Sequence, residues 1–159
     1  MNTTVILTEI TCRYADLNDS LRVLMWRNHD DVRKISRNTA RISLEEHTAW
    51  FSKLLNKNNN ENLIWIFEER NRPLGMVRLD RVDFDMFEIS IVVDPLFHGV
   101  GIGKTILSQA MVKFKSMESA NFLSAAIHKD NLRSVHLFEN FNFQFKNQEG
   151  NFLVFTLRL

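Results

Sequence analysis

Glycine and proline are scarce in this sequence: its 159 residues include five Gly and two Pro. Average usage of about 7% Gly and about 5% Pro would give roughly 19 such residues, so the shortfall excludes collagen-like, glycine-rich linker and proline-rich disordered classes. Three of the glycines, Gly99, Gly101 and Gly103, lie close together in the sequence. The other two, Gly75 and Gly150, are isolated and indicate turns. Glycine is therefore concentrated at one place in the chain.

Cysteine pairs, an excess of charge of one sign and long apolar runs are also missing. Cys12 is the single cysteine, which excludes an internal disulfide and a cysteine pair as metal ligands, and which fits a reducing compartment. The 20 Lys and Arg residues against 19 Asp and Glu residues give a net charge of +1, so no broad positive field for nucleic acid is indicated. No apolar run approaches the roughly 20 residues that span a membrane, and residues 1–10 lack a signal-peptide pattern. We expect one cytoplasmic domain over residues 1–159, with no nucleic-acid or membrane partner.

Hydrophobic periodicity predicts a mixed α/β chain in the order β-α-α-β-β-β-α-β-α-β-β. The predicted strands are Val5 to Cys12, Leu63 to Glu68, Leu74 to Arg81, Phe87 to Val93, Phe122 to Ile127, Phe143 to Phe145 and Phe152 to Leu159. Four helices are predicted. The first carries Leu17, Leu21, Leu24 and Met25 and has a break near Asn28 to Asp31, and the second follows a Ser43–Glu46 capping box. The third runs from Ile102 to Met117 and the fourth from Asn131 to Asn140. The polar run from Asn56 to Asn62 predicts a mobile loop. In the clearest strand, Phe87 to Val93, odd-numbered residues share one face and even-numbered residues share the other.

The clustered glycines lie between this strand and an amphipathic helix, within residues 95–104. This arrangement directs free backbone N–H groups at an anion, and phosphate is the natural ligand. A Walker A motif requires Gly five residues before Gly103, where His98 stands, and the pattern G-x-G-x-x-G requires Gly at Lys104 or Ile106. Both nucleotide fingerprints therefore fail, and an ordinary loop with glycines at a helix start stays open as the simplest alternative.

Two segments resemble motifs of the GNAT N-acetyltransferase superfamily. Residues 98–103 resemble its pyrophosphate loop, Arg/Gln-x-x-Gly-x-Gly/Ala, with His98 in place of the usual Arg or Gln. Residues 131–143 resemble its segment Asn-x-x-Ala/Ser-x-x-Leu-Tyr-Glu-Lys-x-Gly-Phe, with Phe138 where the motif has Tyr. The resemblance covers at least residues 87–143. It implies a mixed α/β fold with a mostly antiparallel central sheet of about seven strands, flanked by about four helices.

The resemblance also implies that acetyl-CoA is the cosubstrate, with its pyrophosphate on the glycine loop and its pantetheine arm along the strand. The residues that it assigns to acetyl-CoA are Ile91, Val92, Val93, His98, Gly99, Val100, Gly101, Ile102, Gly103, Lys104, Asn131, Ser134 and Phe138. For Ser134, a small residue that permits close packing is an equally open alternative. The family's Tyr often protonates the departing thiolate, and a phenyl ring at Phe138 cannot do so.

Acetyl transfer to an amine requires a proton acceptor, because an alkylammonium has no lone pair to attack the thioester. Glu88 is the candidate catalytic base, since it lies on the strand just before the cofactor segment. Ser90 shares its face and is a candidate to relay a proton or orient water. A backbone N–H near Val92 or Val93 would stabilise the oxyanion. The alternative for Glu88 is a structural, salt-bridged carboxylate.

Residues Trp26 to His29 and Ile42 to His47 resemble the N-terminal half of the amino-sugar nucleotide acetyltransferases of pseudaminic-acid and flagellin-glycosylation pathways. This resemblance implies that Arg27, Asn28 and His29 face the acceptor. An Arg can hold phosphates and an Asn can bridge sugar hydroxyls, which suits a nucleotide sugar. A capped helix end around a packed Trp26 is the open alternative, and His47 is expected in the core.

These features predict an acetyl-CoA-dependent N-acetyltransferase that acts on a primary amine, favouring a UDP-linked 4-amino-dideoxy sugar. A protein N-terminus, as in ribosomal-protein acetyltransferases, is the alternative acceptor, and a CoA-binding module without turnover is the alternative class. The histidines show no metal-ligand spacing, so we expect no metal. A homodimer stays open.

Overall fold

A seven-stranded sheet forms the centre of the protein in a computed structural model, which describes residues 9–56, 61–117 and 119–159. The strands are β1 (Thr11–Tyr14), β2 (Asn62–Glu69), β3 (Arg72–Asp83), β4 (Met86–Val93), β5 (Phe122–His128), β6 (Gln144–Glu149) and β7 (Phe152–Arg158). The helices are α1 (Ser20–Asn28), α2 (Asp30–Arg33), α3 (Leu44–Leu55), α4 (Ile102–Ser116) and α5 (Leu132–Asn140), with short 3-10 helices at Leu17–Asp19 and Pro95–Phe97. The predicted α/β architecture and element order are confirmed.

The strand order is β1-β2-β3-β4-β5-β7-β6, and β4 with β5 is the parallel pair. That pairing is short: it joins Met86 to Phe122, Phe87 to Leu123 and Glu88 to Ser124. The other neighbouring strands run antiparallel, and β3 stays paired with β4 as far as Val93. One edge of β4 is therefore open beyond Glu88.

Helices cover both faces of the sheet and form two hydrophobic cores. The core beside α4 and α5 includes Trp65, Phe67, Phe87, Ile89, Phe114 and Phe138. The core beside α1 and α3 includes Val23, Trp26, Phe51, Ile64, Ile66 and Met76. Residues 63–67 of β2 are all buried, because both faces of this strand are covered. Within the described ranges, no helix has the length and apolarity needed to cross a bilayer.

The predicted helix boundaries are confirmed by their caps. The Ser43 hydroxyl accepts a hydrogen bond from the Glu46 N–H at 3.2 Å, and the Glu46 carboxylate accepts one from the Ser43 N–H at 3.2 Å. The predicted break after α1 is also present. There His29 Nδ1 accepts a hydrogen bond from the Asp31 N–H at 3.3 Å and caps α2.

Several expectations need correction. The helix predicted from the leucine spacing exists, and Leu24 is buried in it as predicted, but Leu17, Leu21 and Met25 are exposed. Val23 and Trp26 complete the buried face. The sixth strand runs beyond the predicted segment, to Glu149. The predicted first strand and polar loop lie partly in residues 1–8 and 57–60, outside the described residues.

Gly75 is not a turn residue, because it lies within β3 where the sheet meets α4. A Cβ atom at Gly75 would lie 2.7 Å from the Val92 carbonyl oxygen and 2.8 Å from Ile106 Cδ1. The backbone oxygen cannot move aside cheaply, so β3 approaches its neighbours closely because this residue has no side chain. Gly150 does fit the turn prediction, with φ of +60° between β6 and β7.

We expect Gly75→Ala to lower the free energy of unfolding by about 2 kcal/mol, because overpacking costs about 1–3 kcal/mol. Gly103→Ala is the matched control. A Cβ at Gly103 meets Leu137 and Val93 at 3.6 and 3.7 Å, which is ordinary van der Waals contact. Thermal and urea unfolding measure both variants, and equal stability of the two would contradict the close-approach argument.

Candidate active site

A groove of about 820 Å³ opens where β4 and β5 separate. Its walls are the end of β4, the loop before α4, one side of α5 and residues in and just after α2. The structure thus brings together three segments that the sequence predicted separately: residues 91–93, 98–104 and 131–134.

The open edge of β4 presents the backbone of alternate residues to this groove. The Asp94 N–H donates to the Leu74 carbonyl at 2.8 Å, which fixes Asp94 as a residue bonded to β3. Because antiparallel bonds alternate along a strand, Val92 is also bonded to β3, whereas Ile91 and Val93 direct their backbone groups to the opposite side. The backbone contacts predicted for Ile91 and Val93 therefore have the right direction. The one predicted for Val92 does not, since its N–H points away from the groove.

The loop after β4 is held in place by two side chains. The buried Asp94 carboxylate accepts a hydrogen bond from the Leu96 N–H at 3.0 Å. His98 Nε2 lies 3.0 Å from the Val93 carbonyl oxygen. A carbonyl oxygen only accepts, so Nε2 carries the proton. His98, which departs from the family's usual Arg or Gln, thus fastens the loop to the strand.

The loop and first turn of α4 expose an array of backbone N–H groups. Gly99 and Gly101 have φ of +80° and +86°, a left-handed conformation that favours glycine. In the described part of the chain, the N–H groups of residues 99–104 have no hydrogen-bond acceptor. Since α4 also begins here, its dipole adds partial positive charge. These residues fit the pyrophosphate of a nucleotide cofactor, and no Cβ of Gly99 or Gly101 would touch the protein.

Asn131 and Ser134 form the opposite wall. Asn131 Oδ1 accepts from the Ser134 N–H at 3.3 Å and caps α5, while Asn131 Nδ2 donates to Ser134 Oγ at 3.0 Å. Because Ser134 Oγ accepts this bond, its own proton is free to bond a ligand. Both residues line the groove, and their contact with a cofactor stays a prediction.

Phe138 is placed differently from the expectation. Its ring is 2% exposed and packs edge-on against Phe143 in the core, with ring centroids 5.0 Å apart, and it does not line the groove. Tyr14, the single tyrosine, lies on β1 at the far edge of the sheet, with two strands between it and β4. Neither residue is placed to protonate a thiolate in the groove.

Glu88 lies at the last residue of β4 that pairs with β5, and therefore at the point where the strands separate. Its carboxylate is 34% exposed and lies 3.4 Å from Arg37 Nη2. On β3, Asp80 pairs with Glu88 and Arg78 pairs with Ser90, so these four side chains share the sheet face beside α1 and α3. The predicted salt-bridge alternative for Glu88 is thus partly realised, through a partner that the sequence did not indicate.

A cationic cluster on the same face contains Arg27, which the sequence predicted at the acceptor site, together with Arg78 and Trp50, which it did not. The guanidinium carbons of Arg27 and Arg78 lie 6.0 and 5.1 Å from the centre of the Trp50 ring. Arg78 Nε forms an ion pair with Asp80 at 2.8 Å, whereas no described carboxylate pairs with Arg27. Burial, together with the nearby charge of Arg78, lowers the pKa of Arg27. No local pattern links these residues, because they lie on α1, α3 and β3.

Two of the other predicted acceptor residues have structural partners. Asn28 makes a pair of 2.8 Å hydrogen bonds to the backbone N–H and carbonyl of Ile42, and His29 caps α2. His47 lies in the core as expected, stacked on Phe51 and 1% exposed, and burial lowers its pKa. Among the described residues, no three His, Cys, Asp or Glu side chains come together as a metal site would require.

Comparisons with known proteins agree with this geometry. The family model of the acetyltransferase (GNAT) domain matches residues 6–144. The acetyltransferase PseH of Campylobacter jejuni is 25% identical over 138 residues, covering 86% of this chain and 83% of that protein. A solved domain from Methanocaldococcus jannaschii has a TM-score of 0.82 at 25% identity and covers 95% of this chain and 99% of its own.

An acetyltransferase from Salmonella typhimurium, solved with its cofactor acetyl-CoA, has a TM-score of 0.76 at 18% identity, with 96% of this chain and 95% of that chain covered. At that identity the likeness shows the fold. The family model, in contrast, spans most of the chain and includes both predicted motifs up to residue 144. On this basis the chain belongs to the GNAT acetyltransferase family.

Proposed function

We propose that this protein transfers the acetyl group of acetyl-CoA to the primary amine of a UDP-linked 4-amino-dideoxy sugar. The observation that carries the acceptor class is the Arg27 guanidinium: it is half-buried beside Trp50 and Arg78, and no described carboxylate neutralises it. A counter-anion stabilises a cation in such a position, and a diphosphate supplies two negative charges.

When bound, acetyl-CoA supplies an acetyl group activated as a thioester. The free N–H groups of residues 99–104 hold its pyrophosphate, and the backbone of Ile91 and the N–H of Val93, on the open edge of β4, bond its pantetheine amides. Asn131 and Ser134 face this arm from α5. The N–H of Val92 is bonded to β3, and Val93 lies five residues from Glu88, about 16 Å along the strand. We therefore assign the oxyanion to neither of these two N–H groups.

Glu88 takes the proton of the acceptor amine, directly or through water ordered by Ser90. Its position supports this role for two reasons. Glu88 lies where β4 leaves β5. It is also two residues along β4 from Ser90, which pairs with Arg78 on the same sheet face. Two residues of a strand span about 7 Å, so one acceptor can reach the cation cluster with its phosphates and Glu88 with its amine.

The departing thiolate has no tyrosine to protonate it, because Phe138 is buried and Tyr14 is remote. A thiol has an ordinary pKa of about 8.5, so a thiolate is a tolerable leaving group near neutral pH. Water in the open groove supplies its proton afterwards.

Mass spectrometry tests the proposed acceptor. We expect the protein with acetyl-CoA to add a single acetyl group to a UDP-linked 4-amino-4,6-dideoxyhexose, and Arg27→Met to raise the KM for this acceptor about tenfold or more, since a charge-assisted phosphate bond is lost. A peptide with a free N-terminus serves as the competing acceptor. Acetylation of the peptide alone would reject the nucleotide sugar, and acetyl-CoA binding without turnover on either would reject the proposed function.

A second prediction concerns the glycine loop. We expect Gly101→Val to weaken CoA binding at least tenfold, because a side chain there projects into the anion site and not into the protein. Gly150→Val is the matched control, since it imposes a similar positive-φ strain of about 1–2 kcal/mol far from the groove. Titration calorimetry with CoA compares them, and normal CoA binding by Gly101→Val would remove the loop from the cofactor site.

A third prediction addresses the base. We expect Glu88→Gln to lower kcat about a hundredfold at neutral pH with little change in CoA affinity, because an amide cannot accept the amine proton. The rate of Glu88→Gln should recover partly at high pH, where more of the amine is already neutral. Asp80→Asn is the control, as it removes a neighbouring carboxylate of the same face. A pH–rate profile equal to that of the wild type would exclude Glu88 as the base.

A further inference from the structure

The segment between α2 and α3 places a cation directly on Glu88. Arg37 Nη2 lies 3.4 Å from both carboxylate oxygens of Glu88. Its guanidinium carbon also lies 5.6 Å from the centre of the Phe152 ring at the start of β7. Arg37 therefore reaches across β5, from Glu88 on β4 to Phe152 on β7, on the side where the acceptor's amine must approach Glu88.

The segment that carries Arg37 is fixed on both sides of it. Arg33 donates to the Thr39 carbonyl at 3.3 Å, and Asn28 holds the backbone of Ile42 through its two hydrogen bonds. Arg37 itself makes one long, exposed ion pair, with its side chain 64% exposed. Exposed pairs of this kind contribute little free energy and exchange readily for another cation.

We propose that Arg37 is a displaceable counter-cation, which occupies the position of the acceptor's ammonium and keeps Glu88 from activating water while no acceptor is bound. This rests on the proposed function, in which Glu88 is the base beside the thioester. The guanidinium stays protonated, so it cannot replace Glu88 as a base. An arriving ammonium exchanges one cation for another at the carboxylate, and Arg37 moves aside.

The reaction that Arg37 suppresses is hydrolysis of acetyl-CoA. A water molecule gives one proton to Glu88 while its oxygen forms a bond to the thioester carbon. The C–S bond then breaks to give acetic acid and the CoA thiolate. The thiolate takes, through water, the proton that Glu88 holds, which restores the carboxylate, and acetic acid loses its proton to solvent to become acetate. Each molecule lost in this way consumes the cosubstrate without modifying an acceptor.

Thiol release from acetyl-CoA, without any acceptor, tests the proposal. We expect Arg37→Met to raise this rate about threefold over the wild type, because methionine keeps an apolar stem against Phe152 but removes the cation. Arg41→Met is the matched control, since it removes an exposed cation from the same segment and should leave the rate unchanged. Arg37→Met combined with Glu88→Gln should return the rate to the wild-type level or below.

An unchanged rate in Arg37→Met, or an increase that persists without the Glu88 carboxylate, would overturn the proposal. Acceptor kinetics give a second readout. The KM of Arg37→Met for the acceptor should fall about threefold with kcat within about twofold of the wild type. A raised KM would show that Arg37 binds the acceptor, and would also overturn it. The measurement of thiol release needs acetyl-CoA and no acceptor. It therefore tests the role of Arg37 even if the proposed acceptor class is wrong.

Discussion

The separation of β4 from β5 is the constraint on which the rest of the site depends. Three residues of each strand are paired, and beyond Glu88 the strands diverge while β4 stays bonded to β3. The start of α4 packs between the end of β4 and α5: the position of a Cβ at Gly103 lies 3.6 Å from Leu137 of α5 and 3.7 Å from Val93 of β4. The same helix start supplies the free N–H groups that face the groove. The end of the strand pairing and the anion site therefore lie next to each other.

On β4, the backbone groups that face the groove and the side chains proposed for catalysis point in different directions. Ile91 and Val93 send backbone groups into the groove, whereas the side chains of Glu88 and Ser90 lie on the face beside α1 and α3. In the proposed function, a thioester along this edge would be reached by the acceptor from the side that carries Arg27 and Trp50. Neither substrate would then need to pass the other, which suits direct transfer without an enzyme-bound acetyl group.

The sequence predicted best what depends on neighbours in the chain. Alternation from Phe87 to Val93, the Ser43–Glu46 capping box and the glycine spacing are local, and each matches the structure. The motif resemblance located residues 98–104 and 131–134 on facing walls of one groove, although their use by a ligand stays a prediction. Solvent exposure was harder to predict: Leu21 and Phe138 are both apolar residues on amphipathic helices, yet one is exposed and the other buried.

Features made by distant residues could not be predicted from local patterns. The close approach at Gly75 depends on Ile106, and the cluster around Trp50 joins residues from three elements. The partner of Glu88 is 51 residues earlier in the chain, in a segment without periodicity. Asn28 shows the opposite case, since the resemblance implied a sugar contact and the structure shows both ends of its amide bonded to Ile42.

That bond pair has a consequence for how such a site can diversify. Asn28 bonds the end of α1 to the residue just before the cap of α3. The 13 residues between Asn28 and Ile42, which include α2, therefore form a segment whose two ends are held together. Loop-closure entropy grows slowly with length, so insertions or deletions at the tip cost little once the base is tied. This segment can vary in size and sequence while residues 98–104 and 131–134, on two facing walls of the groove, keep their geometry. In the proposed function, acceptor preference can therefore change through this segment while the cofactor site stays the same.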